Sequence, residues 1–162
     1  MYQIWRRKVF RNWALSIATK VRTFRTLAMS LLLYGAETWT VTQHDIRKLS
    51  SFQMRGLRDI LGITLWDRVR NVDILERTEM LSVEDQLRLR RLQWFGHIWR
   101  MPTHRPQRQL LRCRPSGRGR PMGGVPLRWC DLISRDLRNT GNWAEAIVDR
   151  QEWRALINQY PS

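Results

Sequence analysis

The stretch with the most chemical potential is RRLQWFGHIWRMP, residues 90 to 102, which combines arginines and a histidine with three aromatic rings. Guanidinium groups form forked hydrogen bonds with phosphate oxygens and stack on aromatic bases. On a helical wheel, Arg90, Gln93, His97 and Arg100 fall in one narrow sector, and apolar residues cover most of the remaining circumference. We therefore expect a mostly buried helix with one polar stripe that contacts phosphate.

The aromatic residues of this stretch have two interpretations. Trp94, Phe95 and Trp99 could stack on bases, but a helix that is apolar around most of its girth must be buried. Packing is therefore the stronger interpretation. His97 has no acidic or thiol neighbours in sequence, which favours a structural or phosphate-facing role over catalysis or metal binding.

Residues for catalysis or metal binding are not grouped anywhere in the sequence. Two-metal polymerases and nucleases need clustered carboxylates, whereas the acids here are scattered and mostly stand at helix-cap positions or beside arginines. Walker, GxSxG and HExxH motifs are absent, and Cys113 and Cys130 lack CxxC or metal-ligand spacing. We expect no catalytic centre, no cofactor and no metal in this chain.

The charge balance points to a polyanionic partner. The 162 residues include 29 Lys and Arg against 14 Asp and Glu, and all but three of the cations are arginine. From Gln86 through Cys130 there are eleven arginines and no acid, a run that repels itself unless an anion lies against it. Nucleic-acid binding is the favoured explanation. A G+C-rich coding sequence that drifted toward arginine is the alternative.

Helical periodicity dominates the sequence and strand patterns are scarce, so we predict an all-α fold. In the first predicted helix, residues 20–34, the inward positions are Val21, Phe24, Ala28, Leu31 and Leu32, and Gly35 is the stop. Further helices are predicted at 45–61, after a cap at Asn71, from Ser82 to Pro102, at 129–137 and, after Asn142, at 143–157.

The helix predicted at 45–61 has two distinct sides. Its apolar side consists of Ile46, Leu49, Phe52, Leu57, Ile60 and Leu61. Its basic side consists of Arg47, Lys48, Arg55 and Arg58, which we predict to face phosphate.

Composition divides the chain into a basic lead-in (1–18), a helical domain (19–101), an Arg/Pro/Gly-rich linker (102–128) and a C-terminal helical segment (129–162). The linker is predicted to be a flexible basic arm that contacts phosphates through Arg118 and Arg120, or a solvated linker with no ligand. Without a signal-peptide core or a spanning stretch, we expect an intracellular protein, in nucleus or cytoplasm, with no membrane partner.

Seven blocks in collinear order carry a family resemblance: LLLYGAETWTVT (31–42), FQMRGLRDILGI (52–63), DRVRN (67–71), RRLQWFGHIWRMP (90–102), GRGRP (117–121), LRWCDLISRDL (127–137) and DRQEWR (149–154). Together they resemble the C-terminal end of LINE-type (non-LTR) retrotransposon reverse transcriptases. The stretch RPMGGVPLRW departs from the family's more continuous GRPRLRW run, which puts a phosphate contact near Met122 in doubt.

The resemblance implies that the chain corresponds to the thumb and the region after it, which help to hold template, primer or target nucleic acid. The palm, with its Mg²⁺-binding aspartates, would lie upstream, so we expect a nucleic-acid-binding fragment that is no polymerase on its own. The predicted binding residues are Arg47, Lys48, Arg55, Arg58, Arg90, His97, Arg100, Arg118, Arg120 and Arg128.

Two alternatives stay open. The chain could supply a thumb in trans to the palm of a separate reverse transcriptase, the RNA-directed DNA polymerase of the parent element. It could instead be a non-functional structural remnant that does not fold without the upstream palm.

Overall fold

The computed structural model describes residues 9–10, 12–111, 128–138 and 140–159 of the chain. Regular secondary structure in these ranges is entirely helical, which confirms the predicted all-α fold. The α-helices are α1 (Ile17–Thr23), α2 (Ser30–Leu32), α3 (Gln43–Leu61), α4 (Asn71–Thr78), α5 (Val83–Arg100), α6 (Pro106–Leu110), α7 (Trp129–Arg138), α8 (Trp143–Ala146) and α9 (Arg150–Gln159). A π-helical segment (Phe24–Met29) joins α1 to α2, and 3₁₀ turns occupy Ala36–Thr38 and Leu65–Asp67.

The chain folds into two compact units. Unit 1 holds the described residues up to Tyr34 together with Gln43–Glu84. Unit 2 holds Gly35–Thr42 together with the described residues from Asp85 onward. The four segments predicted from composition have boundaries that differ from those of the two units. They stay a prediction about domain organisation. In the described ranges, no helix is long and apolar enough to cross a bilayer.

The first helical run of unit 1 consists of α1, the π-helical segment and α2. Two consecutive buried apolar residues on its inner side are five positions apart. Its buried apolar positions are Val21, Phe24, Met29 and Leu33. The step from Phe24 to Met29 falls in the π-helical segment, where a turn contains about one residue more than an α turn. The extra residue rotates later positions around the axis, so the prediction that Leu31 lies inward is wrong. Leu31 is 70% exposed, and Met29 takes the inward place instead.

Helix ends lie close to the residues that the sequence marks as starts and stops. Helix α3 begins directly after Thr42, and α5 begins directly after Ser82. Gly35 and Gly62 have φ angles of +68° and +71°, in the left-handed region that glycine adopts without steric cost. Helix α5 ends two residues before Pro102, which cannot donate the next backbone hydrogen bond.

A glycine in α3 brings that helix against the first helical run of unit 1. A Cβ placed on Gly56 would lie 2.5 Å from Cε2 of Phe24, so only glycine leaves room for that ring. The Phe24 ring also packs edge-on against Phe10, with centroids 5.7 Å apart, and stacks on Phe52 at 6.3 Å. Of the predicted apolar side of α3, Leu57 and Ile60 are buried.

Unit 2 is built around the buried indole of Trp153. Its ring Nε1 donates a hydrogen bond to the Leu92 carbonyl at 3.1 Å, and its ring lies directly against Gly96 of α5. A Cβ on Gly96 would lie 2.6 Å from Cδ1 of that indole. The other buried members of its hydrophobic cluster are Leu92, Phe95, Ile133, Leu137, Ile147 and Ile157. Phe95 and Trp99 pack as predicted, with ring centroids 5.6 Å apart.

Three predictions about helix boundaries are wrong. The last helix is divided into α8 and α9, because Asp149 Oδ1 accepts the backbone N–H groups of Gln151 at 2.6 Å and Glu152 at 3.0 Å and starts a new helix. Asn71 is the first residue of α4, whose N-cap is Arg70. The segment predicted to be a flexible arm or a solvated linker contains the short helix α6, which begins with Pro106 at a position that suits proline.

Candidate nucleic-acid interface

The basic side of α3 in unit 1, called here the α3 basic face, consists of Arg47, Lys48, Arg55 and Arg58. Its first three residues are exposed. The opposite side of the helix carries Leu57 and Ile60 into the core, which fixes the outward orientation of the cations. The structure therefore brings these three charges together on one accessible surface of one helix.

Arg58 differs from its neighbours on the α3 basic face because it is half-buried. Its Nη2 donates to the Val69 carbonyl at 3.2 Å and to Oδ1 of Asn71 at 2.8 Å. These two bonds fix the segment between α3 and α4. A guanidinium has five N–H donors, so this structural role uses part of its hydrogen-bonding capacity. A phosphate contact by Arg58 stays a prediction.

An open groove of about 1,440 Å³ runs beside the α3 basic face within unit 1. Arg47, Arg55 and Arg58 line it, and Lys48 does not. Trp13, which no sequence pattern indicated as a site residue, also lines the groove and is 95% exposed. This residue precedes the first helix and belongs to no periodic pattern, so only its aromatic character could have drawn attention to it.

The polar stripe of α5 in unit 2 is accessible only in part. Gln93 and His97 are exposed, whereas Arg90 and Arg100 are half-buried. The His97 ring lies 5.3 Å from the ring of Trp94, centroid to centroid. Arg100 Nη1 donates to the Ile147 carbonyl at 2.8 Å. This hydrogen bond is a contact within unit 2, and the predicted phosphate contact of Arg100 stays a prediction.

The environment of Arg100 is unfavourable for positive charge. Burial lowers the pKa of its guanidinium, and the nearby charge of Arg150 lowers it further. Asp149 acts in the opposite direction.

Two further arginines of α5 lie inside unit 2, where sequence analysis did not place them. Arg91 forms a two-pronged ion pair with Asp136 of α7, with Nε to Oδ2 at 2.9 Å and Nη2 to Oδ1 at 3.3 Å. Arg88 Nη2 lies 3.4 Å from both the Asp136 carbonyl oxygen and Thr140 Oγ1. The acid-free run of the sequence is thus balanced in part by a carboxylate 45 residues away. Sequence spacing holds no signal for this pairing.

Other arginines of the linker region have mixed placements. Arg108 is buried, and its guanidinium carbon lies 3.9 Å from the Trp99 ring centroid, in a cation–π contact. Arg128 is half-buried, and its backbone N–H donates to Oδ2 of Asp131 at 3.3 Å. The predicted binding residues Arg118 and Arg120 lie outside the described residues. Within the described ranges, no three His, Cys, Asp or Glu side chains are grouped so as to hold a metal ion.

The fold and its exposed cations define a small, all-helical and strongly basic class of protein. A protein of Caenorhabditis elegans, named as an uncharacterized transposon-derived protein, is 27% identical to this chain over 151 residues. The match covers 86% of this chain and 54% of that relative, so the chain spans about half the relative's length. This similarity supports a transposon origin. No family model and no solved structure matches the chain.

Proposed function

We propose that this chain is a nucleic-acid-binding piece of a non-LTR retrotransposon reverse transcriptase, corresponding to the thumb and the region after it. In this proposal it holds template, primer or target nucleic acid and has no polymerase activity by itself. The palm and its Mg²⁺ ions belong to the parent enzyme.

The observation that carries the proposal is the α3 basic face. Arg47, Lys48 and Arg55 are exposed on one helix of a chain whose formal net charge is +15. Grouped cations of this kind attract the phosphate backbone and release its condensed counterions on binding. The transposon-derived relative supports the same proposal, because a mobile element must handle its own RNA or DNA copy.

The test is a fluorescence-anisotropy titration of the chain with labelled RNA/DNA hybrid, single-stranded RNA and duplex DNA at several salt concentrations. We expect binding with a steep salt dependence. In the double variant R47E/K48E, binding to all three should weaken. The slope of log Kd against log salt should flatten by about two units, since each lost phosphate contact removes about one.

A matched control separates location from total charge. Arg135 and Arg138 are exposed on α7, outside the α3 basic face. The variant R135E/R138E changes net charge by the same amount as R47E/K48E. Equal losses in the two variants would contradict a specific role for the α3 basic face. No binding of the unaltered chain to any of the three ligands would overturn the proposed function.

A further inference from the structure

The groove of unit 1 has the properties of a binding site for one strand of nucleic acid. Its volume of about 1,440 Å³ exceeds the range of roughly 300–1,000 Å³ that is usual for small-molecule pockets. Such a large, open space can hold a segment of a polymer as well as a compact ligand. Its walls contain four cationic side chains, namely Lys20, Arg47, Arg55 and Arg58, against the carboxylates of Asp59 and Glu84.

Two of these cations are spaced for a phosphate backbone. Arg47 and Arg55 are both exposed, both line the groove, and stand eight residues apart on α3. Eight residues of α-helix span about 12 Å, which is roughly the length of three to four nucleotides in a stacked strand. A strand that follows the helix could therefore place phosphates at both guanidinium groups.

Trp13 adds a feature that phosphate binding does not require. The indole is 95% exposed, so its ring faces are open to a ligand, and it lines the same groove as the cations. A solvent-exposed indole costs hydrophobic free energy unless a partner covers it. Bases of a single strand stack on such rings, whereas the bases of a duplex already stack on each other inside the helix.

We propose that the groove of unit 1 binds single-stranded nucleic acid, with a base stacked on Trp13 and phosphates on Arg47 and Arg55. This inference rests on the proposed function and narrows it to one ligand form and one site. Because every base has a stacking face, the site accepts many sequences. Single-stranded RNA and DNA share the required chemistry.

Unit 1 offers a matched control for the stacking residue. Trp66 is 92% exposed, nearly as accessible as Trp13, but it does not line the groove. It lies on a 3₁₀ turn closed by Asp67 Oδ2, which accepts the Thr64 backbone N–H at 2.6 Å and the Thr64 hydroxyl at 2.8 Å. Since both indoles are exposed, replacing either should leave the fold intact, which thermal unfolding by circular dichroism checks.

The experiment measures anisotropy with a mixed-sequence strand of about 12 nucleotides, as RNA and as DNA, and with the corresponding duplex. We expect W13A to weaken binding of both single strands at least about fivefold and to change duplex binding less than twofold. W13F, which keeps a stacking ring, should retain most of the affinity. W66A should bind like the unaltered chain, and R47A should weaken single-strand binding more than K48A.

The failure of this inference differs from the failure of the proposed function. If W13A and W66A bind single strands as well as the unaltered chain while R47E/K48E binds weakly, phosphate binding stands and the stacking site is overturned. Equal losses for W13A and W66A would overturn the groove assignment, because Trp66 lies outside it. If the unaltered chain binds no nucleic acid, both proposals fail.

Discussion

Arginines of α3 in unit 1 and of α5 in unit 2 are placed in opposite ways. In unit 1, Arg47 and Arg55 stand exposed on α3, beside a groove that is open to a ligand. In unit 2, Arg88 and Arg91 of α5 are only 7% and 5% exposed, and Asp136 holds both through its backbone or side chain. An arginine-rich sequence therefore does not equal an arginine-rich surface. A guanidinium buried against a carboxylate supports the fold, whereas an exposed one stays accessible from solvent.

The two units also share a packing feature, an aromatic ring packed against a glycine of a helix. In each, an interior glycine of a long helix receives an aromatic ring, with Gly56 against Phe24 in unit 1 and Gly96 against Trp153 in unit 2. Glycine weakens a helix by about 1 kcal/mol relative to alanine. In both places the glycine lets a ring approach the helix backbone more closely than a Cβ would allow.

The largest expected effect follows from removing the acid that holds the buried arginines. D136A leaves Arg91 buried without its carboxylate, which should destabilise unit 2 by about 3–5 kcal/mol. Urea unfolding followed by circular dichroism measures the change. The control is D73A, which breaks the 2.9 Å pair between Asp73 and Arg70. That arginine is 81% exposed, so little change is expected. Equal urea unfolding midpoints for D136A and D73A would contradict the expectation that the buried ion pair stabilises the fold more than the exposed one.

An intermediate effect is expected at the two glycines. G96A should destabilise the protein by up to about 2 kcal/mol, because overpacking against the buried Trp153 indole costs about 1–3 kcal/mol and the gain in helix propensity returns about 1 kcal/mol. G56A should act in the same direction through Phe24. Q93A, at an exposed position of the same helix as Gly96, should change the unfolding free energy by less than about 0.5 kcal/mol. A G96A variant as stable as Q93A would show that Trp153 does not rest against α5.

The smallest effect concerns acid stability at helix caps. Backbone N–H groups of Glu152 and Gln151 lower the pKa of Asp149 below its ordinary value of 3.8. Because the pKa is lower in the folded state, the cap contributes its full stabilisation at pH values above the unfolded-state pKa. This stabilisation is lost as the pH falls through the folded-state pKa. D149A should therefore have a lower Tm than the unaltered chain at neutral pH.

This difference in Tm should shrink as the pH falls from about 5 to about 2, which a series of thermal melts records. In unit 1, Asp67 has its pKa lowered in the same way, first by the backbone N–H of Thr64 and then by its hydroxyl. D67A should show the same convergence. A Tm difference that is constant with pH would mean that the carboxylate charge does not act as the cap.

Local sequence determined much of the helical framework. Periodicity and capping residues placed α3, α5 and α7 correctly, because these signals act within a few residues of the helix they describe. The same periodicity predicted that Arg47, Lys48 and Arg55 face outward. The π-helical segment, in contrast, altered the buried side of the first helix without a recognised signal, since one extra residue in a turn depends on packing.

Tertiary structure alone decided which arginines lie inside and where a groove forms. Arg91 meets Asp136 across 45 residues of sequence, and Trp13 joins Arg47 at one groove only after the chain folds. Arg58 depends on both local sequence and tertiary structure. Its position on the helical wheel places it among the surface cations, and its hydrogen bonds to Val69 and Asn71 connect it to the next segment. Periodicity specifies which side of a helix a residue occupies, but the packing of other elements determines what that side meets.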